Sequence, residues 1–366
     1  MTVDVELRAD RSDRSDRVDR RDSRTGSLRR GSVTVPALVV VLVAVMVAGV
    51  AIGSVSIPVT DVVAVVADRL GLGSASVAES TSVIVWTIRV PRVLLAAVVG
   101  AGLGVCGVVM QALVRNPIAD PYLLGVSSGA SVGAIAVIAL GFGSGVWALT
   151  GMAFVGALAA VALVVTISGI RQGLAPVRTI LAGVAVASLC SALGSFLLFL
   201  SPRADSARQV LFWLLGSLSG ASWIKIAVPA AVVSVGIAWI VFRSSWLDAL
   251  AVGDETAASL GVDARRARVE LIVLASLMTA SMVAVSGAIG FVGLLLPHVA
   301  RLLVGFGHRL LVIHTALVGA TFLVLVDLVA RTVASPQEIP VGILTAGIGA
   351  PAFCWFLWRL ESRRFS

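Results

Sequence analysis

From residue 33 onward the sequence is a succession of long apolar runs with almost no charge inside them, and this pattern fixes the solvent in which the chain folds. About 20 helical residues, at 1.5 Å rise each, cross a hydrocarbon core about 30 Å thick. Residues 33–60, 93–114, 179–202, 226–242, 310–326 and 339–358 each fit one crossing. Residues 121–170 fit two, divided by the turn-forming Gly141, Gly143 and Gly145. The run between Glu270 and Arg301 is too long for one crossing and divides near Ser286 to Gly290. The reading is therefore an all-α, polytopic membrane protein of about ten transmembrane helices. Composition agrees: 58% hydrophobic and 13% charged residues leave too little polar surface to cover a soluble core.

Charge placement orients those crossings, because Lys and Arg of short loops collect on the cytoplasmic side. With both termini inside, the 28 basic residues divide 21 to 7. The seven outside are Arg69, Arg89, Arg92, Arg203, Arg208, Lys225 and Arg331. The net charge of +8 then expresses topology and lipid contact, and nucleic acid is not an expected partner. Residues 1–32 alternate Arg and Asp without an apolar face and are expected to form a disordered cytoplasmic tail; residues 33–366 form the transmembrane domain. Cys106, Cys190 and Cys354 lie in apolar runs without metal-type spacing and are read as buried packing. His298, His308 and His314 share no ligand spacing either, so no metal site is expected.

The chain carries no energy source of its own. Its one lysine, Lys225, follows Ile224 rather than glycine, so no phosphate-cradling GxxxxGK[ST] loop exists and any ATP hydrolysis belongs to another chain. A carrier driven by protons would want acids buried at mid-membrane. The nearest candidate is Asp327, which lies four residues before Arg331 and is equally explained by an i,i+4 ion pair. Residues 245–262 form the longest inside loop after the tail and read as two short helices. Asp254 is placed to cap the second over 255–260, and Gly261 to end it in a left-handed conformation. Ala257, Ala258 and Leu260 give that helix a small apolar face.

Five separated islands carry a family resemblance. They are RVPR (Arg89–Arg92), QALVRNPIADPYLLGVSSGA (Gln111–Ala130), GDETAASLG (Gly253–Gly261), GFVGLLLPHVAR (Gly290–Arg301) and EIPVGILTAGIGAP (Glu338–Pro351). In this order, from about Val33 to Arg359, the chain resembles the permease subunit of ABC importers for ferric siderophores, haem or vitamin B12. The resemblance implies a type II importer architecture in which spans 2–5 and 7–10 form an inverted repeat. It implies a second permease chain, identical or related, two ATP-binding subunits that hold the ATP and magnesium, and an extracytoplasmic substrate-binding protein. The setting is the bacterial cytoplasmic membrane. No cofactor is implied on this chain.

Residue by residue, the resemblance makes Gly253, Glu255, Ala258, Leu260 and Gly261 the coupling surface for the ATPase, since small residues let two backbones approach. Arg89, Arg92 and Arg331 match arginines that meet acids on the binding protein, a task suited to the planar guanidinium fork. Asn116, Ile118, Ala175 and Pro176 match the cytoplasmic gate, although the family often has small hydroxyl residues at the last two. The segment Phe212–Trp223 resembles a short helix at the outer gate, and Ser127, Ser128, Ser191 and Thr345 are candidates to line the pathway. The expected cargo is a ferric siderophore or similar iron chelate, with vitamin B12 or haem as the alternative. A stand-alone secondary carrier is the reading from another class, and the shortage of mid-membrane acids weighs against it.

Overall fold

The computed structural model describes residues 33–53, 55–73, 77–143, 145–169, 174 and 176–362. The expected tail and Ala175 lie outside these. Among the described residues every regular element is helical. In chain order they are α1 (Val33–Ala51), α2 (Val59–Arg69), α3 (Glu79–Val114), a 3₁₀ turn (Pro121–Leu124), α4 (Val126–Leu140), α5 (Val146–Ser168) and α6 (Pro176–Phe199). There follow α7 (Ser206–Leu214), α8 (Trp223–Phe242), α9 (Ser244–Val252), α10 (Asp254–Ser259), α11 (Ala264–Ser286), α12 (Val292–Val304), α13 (His308–Thr332) and α14 (Val341–Ser362). Seven of them, α1, α3, α5, α6, α8, α11 and α13, are long and apolar enough to cross a membrane. The shorter apolar helices α4, α12 and α14 occupy the places of spans 3, 8 and 10, so ten apolar helices stand in the expected order.

Two boundaries differ from the sequence reading. The first apolar run does not stay helical to residue 60: α1 stops at Ala51, and the chain turns before the amphipathic α2. The second span starts at Glu79 rather than near 93, so Pro91 sits inside a helix. A proline there lacks an N–H and collides with the carbonyl four residues earlier. The helix accommodates it by opening into a π turn over Ile84–Arg89, just before the proline. Apolarity alone located the span; Glu79 and Arg89 concealed how far it extends.

The inverted repeat is visible in who packs on whom. Helix α3 lies along α13, and its counterpart α11 lies along α5; α4 against α6 is mirrored by α12 against α14; α12 against α3 is mirrored by α4 against α11. In a membrane such contacts are driven by close fit rather than by water exclusion, which favours small residues at the seams. A Cβ added at Gly100 of α3 would overlap the carbonyl oxygen of Gly319 on α13, and one at Gly107 would overlap that of Gly293 on α12. The two backbones touch there, and no side chain larger than hydrogen fits.

The short spans α4 and α12 have 15 and 13 residues, roughly 20 Å of helix each, too little for the hydrocarbon core. Non-helical segments complete both crossings. Gly125 and Phe291, each in the left-handed conformation, start the two helices at equivalent points of the repeat. Between the two halves the chain's single tyrosine makes a pair of hydrogen bonds: the Tyr122 hydroxyl donates to the Ile289 carbonyl and accepts from the Ile289 N–H, both at 3.0 Å. Backbone that leaves its helix away from water must find such partners. The sequence division at 286–290 is thus correct, and it marks an unwound segment packed inside protein rather than an ordinary loop.

Candidate functional site

The loop over residues 245–262 folds into two short helices, as the sequence reading requires, with one correction. The second short helix is α10, its end marked by Gly261 at φ +76°. Asp254, however, is its first residue and does not cap it. Its carboxylate instead bridges two arginines: Arg115, just past α3, at 2.7 Å, and Arg268, in the first turns of α11, at 2.5 and 3.0 Å. Ala257 is fully buried beneath the helix, whereas Glu255, Ala258, Leu260 and Gly261 are exposed and Gly253 is half-buried. Leu260 is 67% exposed and Val252, at the end of α9, 70%. The loop therefore presents a small apolar surface outward while being fastened from behind to α3 and α11, the equivalent first helices of the two repeats.

Helix α9 is fastened separately. The Asp248 carboxylate accepts from the backbone N–H of His308 at 3.1 Å and lies 2.7 Å from its Nδ1. Burial alone would raise this carboxyl group, but the His308 hydrogen bonds outweigh it and hold it below its ordinary value.

Arg89, Arg92 and Arg331 gather at one end of the bundle, and all three are turned inward, each 6–7% exposed. Arg89 donates to the carbonyls of Val50 (2.8 Å) and Ala51 (2.9 Å) and also to that of Val55. Arg331 donates to the Gly49 carbonyl. The carbonyls of Gly49, Val50 and Ala51 end α1, so two guanidinium groups close the negative end of a helix that is otherwise the least buried of the long spans. Arg92 meets Asp327 through Nε (3.0 and 3.1 Å) and Nη2 (2.9 Å), and Glu338 through Nη1 at 2.7 Å. Asp327 does face Arg331, at 3.7 Å, but its main partner is Arg92, 235 positions away, which sequence spacing could not reveal.

At the opposite end, Asn116 accepts from the Ile118 N–H at 3.1 Å, which shapes the NPIADP turn, and Ile118 is 44% exposed. Pro176 opens α6 and is half-buried; Ala175 is not among the described residues. Nearby, Arg301 donates to Gln111 (2.7 Å), whose amide reaches the Leu294 carbonyl (3.3 Å). Both residues lie in the quoted islands, yet nothing in their spacing announced the pair.

Of the pathway candidates, Ser128 and Ser191 are brought together with Ser131, Cys190 and Ser195 around a cavity of about 230 Å³ between α4 and α6. Ser127 and Thr345 are elsewhere: Thr345 is fully buried and donates to the Gly342 carbonyl. The short helix expected over Phe212–Trp223 is α7, which starts earlier, at Ser206, and ends at Leu214. Its end is stitched down by Ser217 N–H to Ser286, Val341 N–H to Gly216 and Gly342 N–H to Leu215. Cys106 is buried as expected, but Cys354 is exposed on α14. Among the described residues no cluster of His, Cys, Asp or Glu is disposed to hold a metal.

Ten apolar helices, unwound crossings in an inverted repeat and a braced surface loop define a multi-pass membrane permease. The model of the FecCD transport family matches residues 40–359. The chain is 46% identical over 288 residues to the cobalamin import system permease protein BtuC of Halobacterium salinarum, covering 78% of this chain and 76% of that one. It is 41% identical over 281 residues to the vitamin B12 import system permease protein BtuC of Escherichia coli, covering 76% and 84%. A solved structure, described as an inward-facing conformation of a metal-chelate type ABC transporter, superposes with a TM-score of 0.79 at 33% identity, covering 89% of this chain and 99% of that one. The chain belongs to the FecCD transport family and is an ABC transporter permease of type II architecture.

Proposed function

We propose that this permease pairs with a second permease chain and two ATP-binding subunits to import a metal chelate delivered by an external binding protein. The observation that carries the coupling reading is the bridge at Asp254. An exposed small-residue helix tied by one carboxylate to both Arg115 and Arg268 can pass a displacement of an ATPase directly to α3 and α11. Translocation needs no covalent chemistry from this chain, only two states that the ATPases contact differently. Gly253, Glu255, Ala258, Leu260 and Gly261 are the ATPase contact, and Asn116, Ile118, Ala175 and Pro176 the inner gate.

The cargo is cobalamin or a ferric chelate. The names of two relatives favour the first. Uptake of labelled cyanocobalamin and of ferric siderophores by proteoliposomes holding the assembled transporter separates the two, and uptake of neither, with ATPase turnover intact, sinks both.

Docking of the binding protein is assigned to the Arg89, Arg92 and Arg331 end. Because these guanidinium groups are already engaged, docking acts through exchange. A partner carboxylate replaces Glu338, whose side chain is 36% exposed, on Arg92, while Asp327 stays in place. Both termini and the α9–α10 loop lie on the cytoplasmic side in this arrangement.

A further inference from the structure

At the end of the bundle that carries α7, two cations face a cavity with no acid in its lining. The cavity measures about 640 Å³, and Arg208 of α7 and Lys225 of α8 line it together with Gln209, Ser217, Ser219 and Thr150. Among the described residues neither Arg208 nor Lys225 makes an ion pair with an acid. It is distinct from the serine-lined cavity between α4 and α6: Val210 and Leu214 of α7 face that one, whereas Arg208, Gln209 and Phe212 face this one. At Lys225 and Thr150, which line both, the cation-lined cavity borders a second, smaller space of about 150 Å³ between α5 and α8. Its walls are apolar, with Trp147, Phe154, Val228 and Pro229 among them. Trp147 is 59% and Val228 52% exposed, so this groove opens on the outer surface of the bundle, which in a membrane is lipid.

We infer that the two spaces together form a binding site for an anionic glycerophospholipid, its phosphate between Arg208 and Lys225 and an acyl chain in the groove between α5 and α8. The charge of the lining selects an anion, and the groove selects one that carries a hydrocarbon tail. Lys225 lies in the first turn of α8 and Arg208 in the first turn of α7, the level at which headgroups sit and where cationic side chains and tryptophans such as Trp147 and Trp223 collect. A soluble anion would use the cations but leave the groove idle.

The test is native mass spectrometry of the full chain in mild detergent, titrated with phosphatidylglycerol or with phosphatidylcholine of the same acyl chains. Wild type should retain phosphatidylglycerol at about tenfold lower concentration, and Arg208→Gln with Lys225→Gln should abolish that preference, while Arg203→Gln should preserve it. The groove is tested independently by Gly151→Trp. Gly151 lines it, and a Cβ there meets nothing within 4 Å, so a side chain at this position starts in open space and the indole is placed to obstruct the groove. This variant should lose retention at least fivefold with an unchanged melting temperature, and it stays decisive even if the double variant fails to fold. Equal retention of the two lipids by wild type, or full retention by Gly151→Trp, overturns the site. Binding of deacylated glycerophosphoglycerol as tight as that of the intact lipid overturns it too, in favour of a soluble anion.

Discussion

Arg92 of α3 and Asp327 of α13 lock their side chains together through three contacts of 2.9–3.1 Å, with the carboxylate 1% exposed. This pair spans the helix contact at Gly100 and Gly319 and ties the RVPR island to the end of the ninth span. Removing one partner of a buried pair strands the other, which costs about 3–5 kcal/mol. Asp327→Ala should therefore lower the melting temperature of the detergent-solubilised chain sharply, whereas Glu338→Ala, at a half-exposed position, should change stability by less than about 1 kcal/mol. Equal losses in the two variants would show that the buried pair is not what holds this end together.

Exchange at Arg92 makes an unusual demand on docking. Glu338→Ala should tighten association of the binding protein, because it frees one face of Arg92, while Arg92→Glu should weaken it far more than Arg69→Glu at an outer position away from the cluster. Both effects should fade with added salt over the range in which the screening length falls from about 10 Å to about 3 Å. Surface-captured permease in nanodiscs measures both affinities, and unchanged binding in Arg92→Glu would confine the cluster to closing α1.

Charge on the coupling helix should separate assembly from transmission. Leu260→Asp places a carboxylate on the exposed face and should abolish co-purification with the ATPase and, with it, transport. Asp254→Asn keeps that face but weakens the ties to Arg115 and Arg268, so the complex should still assemble and hydrolyse ATP while uptake falls at least fivefold. Normal uptake in Asp254→Asn would mean that motion reaches the bundle by another route.

Acid should act through Asp248. Its carboxyl group sits below its ordinary value, so the stabilisation it brings is fully present above about pH 4 and is lost as the pH falls through the folded-state value. Asp248→Asn should melt lower than wild type at pH 6, and the gap should close as the pH drops below about 4. A gap independent of pH would place the effect in packing.

Topology is open to direct measurement. On a cysteine-free background, a thiol at position 255 should be labelled by membrane-impermeant reagent only from the inside and one at position 205 only from the outside. The reverse pattern would invert every loop assignment made above.

Apolar runs, turn glycines and the Gly253–Gly261 island made the ten apolar helices and the paired short helices α9 and α10 legible from sequence, because these features are local. What escaped was set by partners far apart in the chain. Arg89 stood out in the sequence as an outside charge of the RVPR island, and the fold turns it inward to close α1 from another helix. Asp327 looked like the i,i+4 partner of Arg331, but the fold delivers Arg92 at closer range. The start of α3 escaped for a local reason: Pro91 signals a helix beginning unless a π turn absorbs it, and nothing in the residues before it announces that turn.

The Tyr122 hydroxyl fastens the unwound stretch before α4 to the one before α12, at the place where the two halves of the fold meet. Parting them would leave two backbone groups and one phenol without partners where water cannot replace them. With the glycine seams beside it, this closes the interior of a single protomer against large rearrangement. The protomer then behaves as a solid wedge: in the proposed assembly, a passage for a bulky cargo would open by tilting one wedge against its neighbour, and a stroke delivered at α10 would set the angle of tilt.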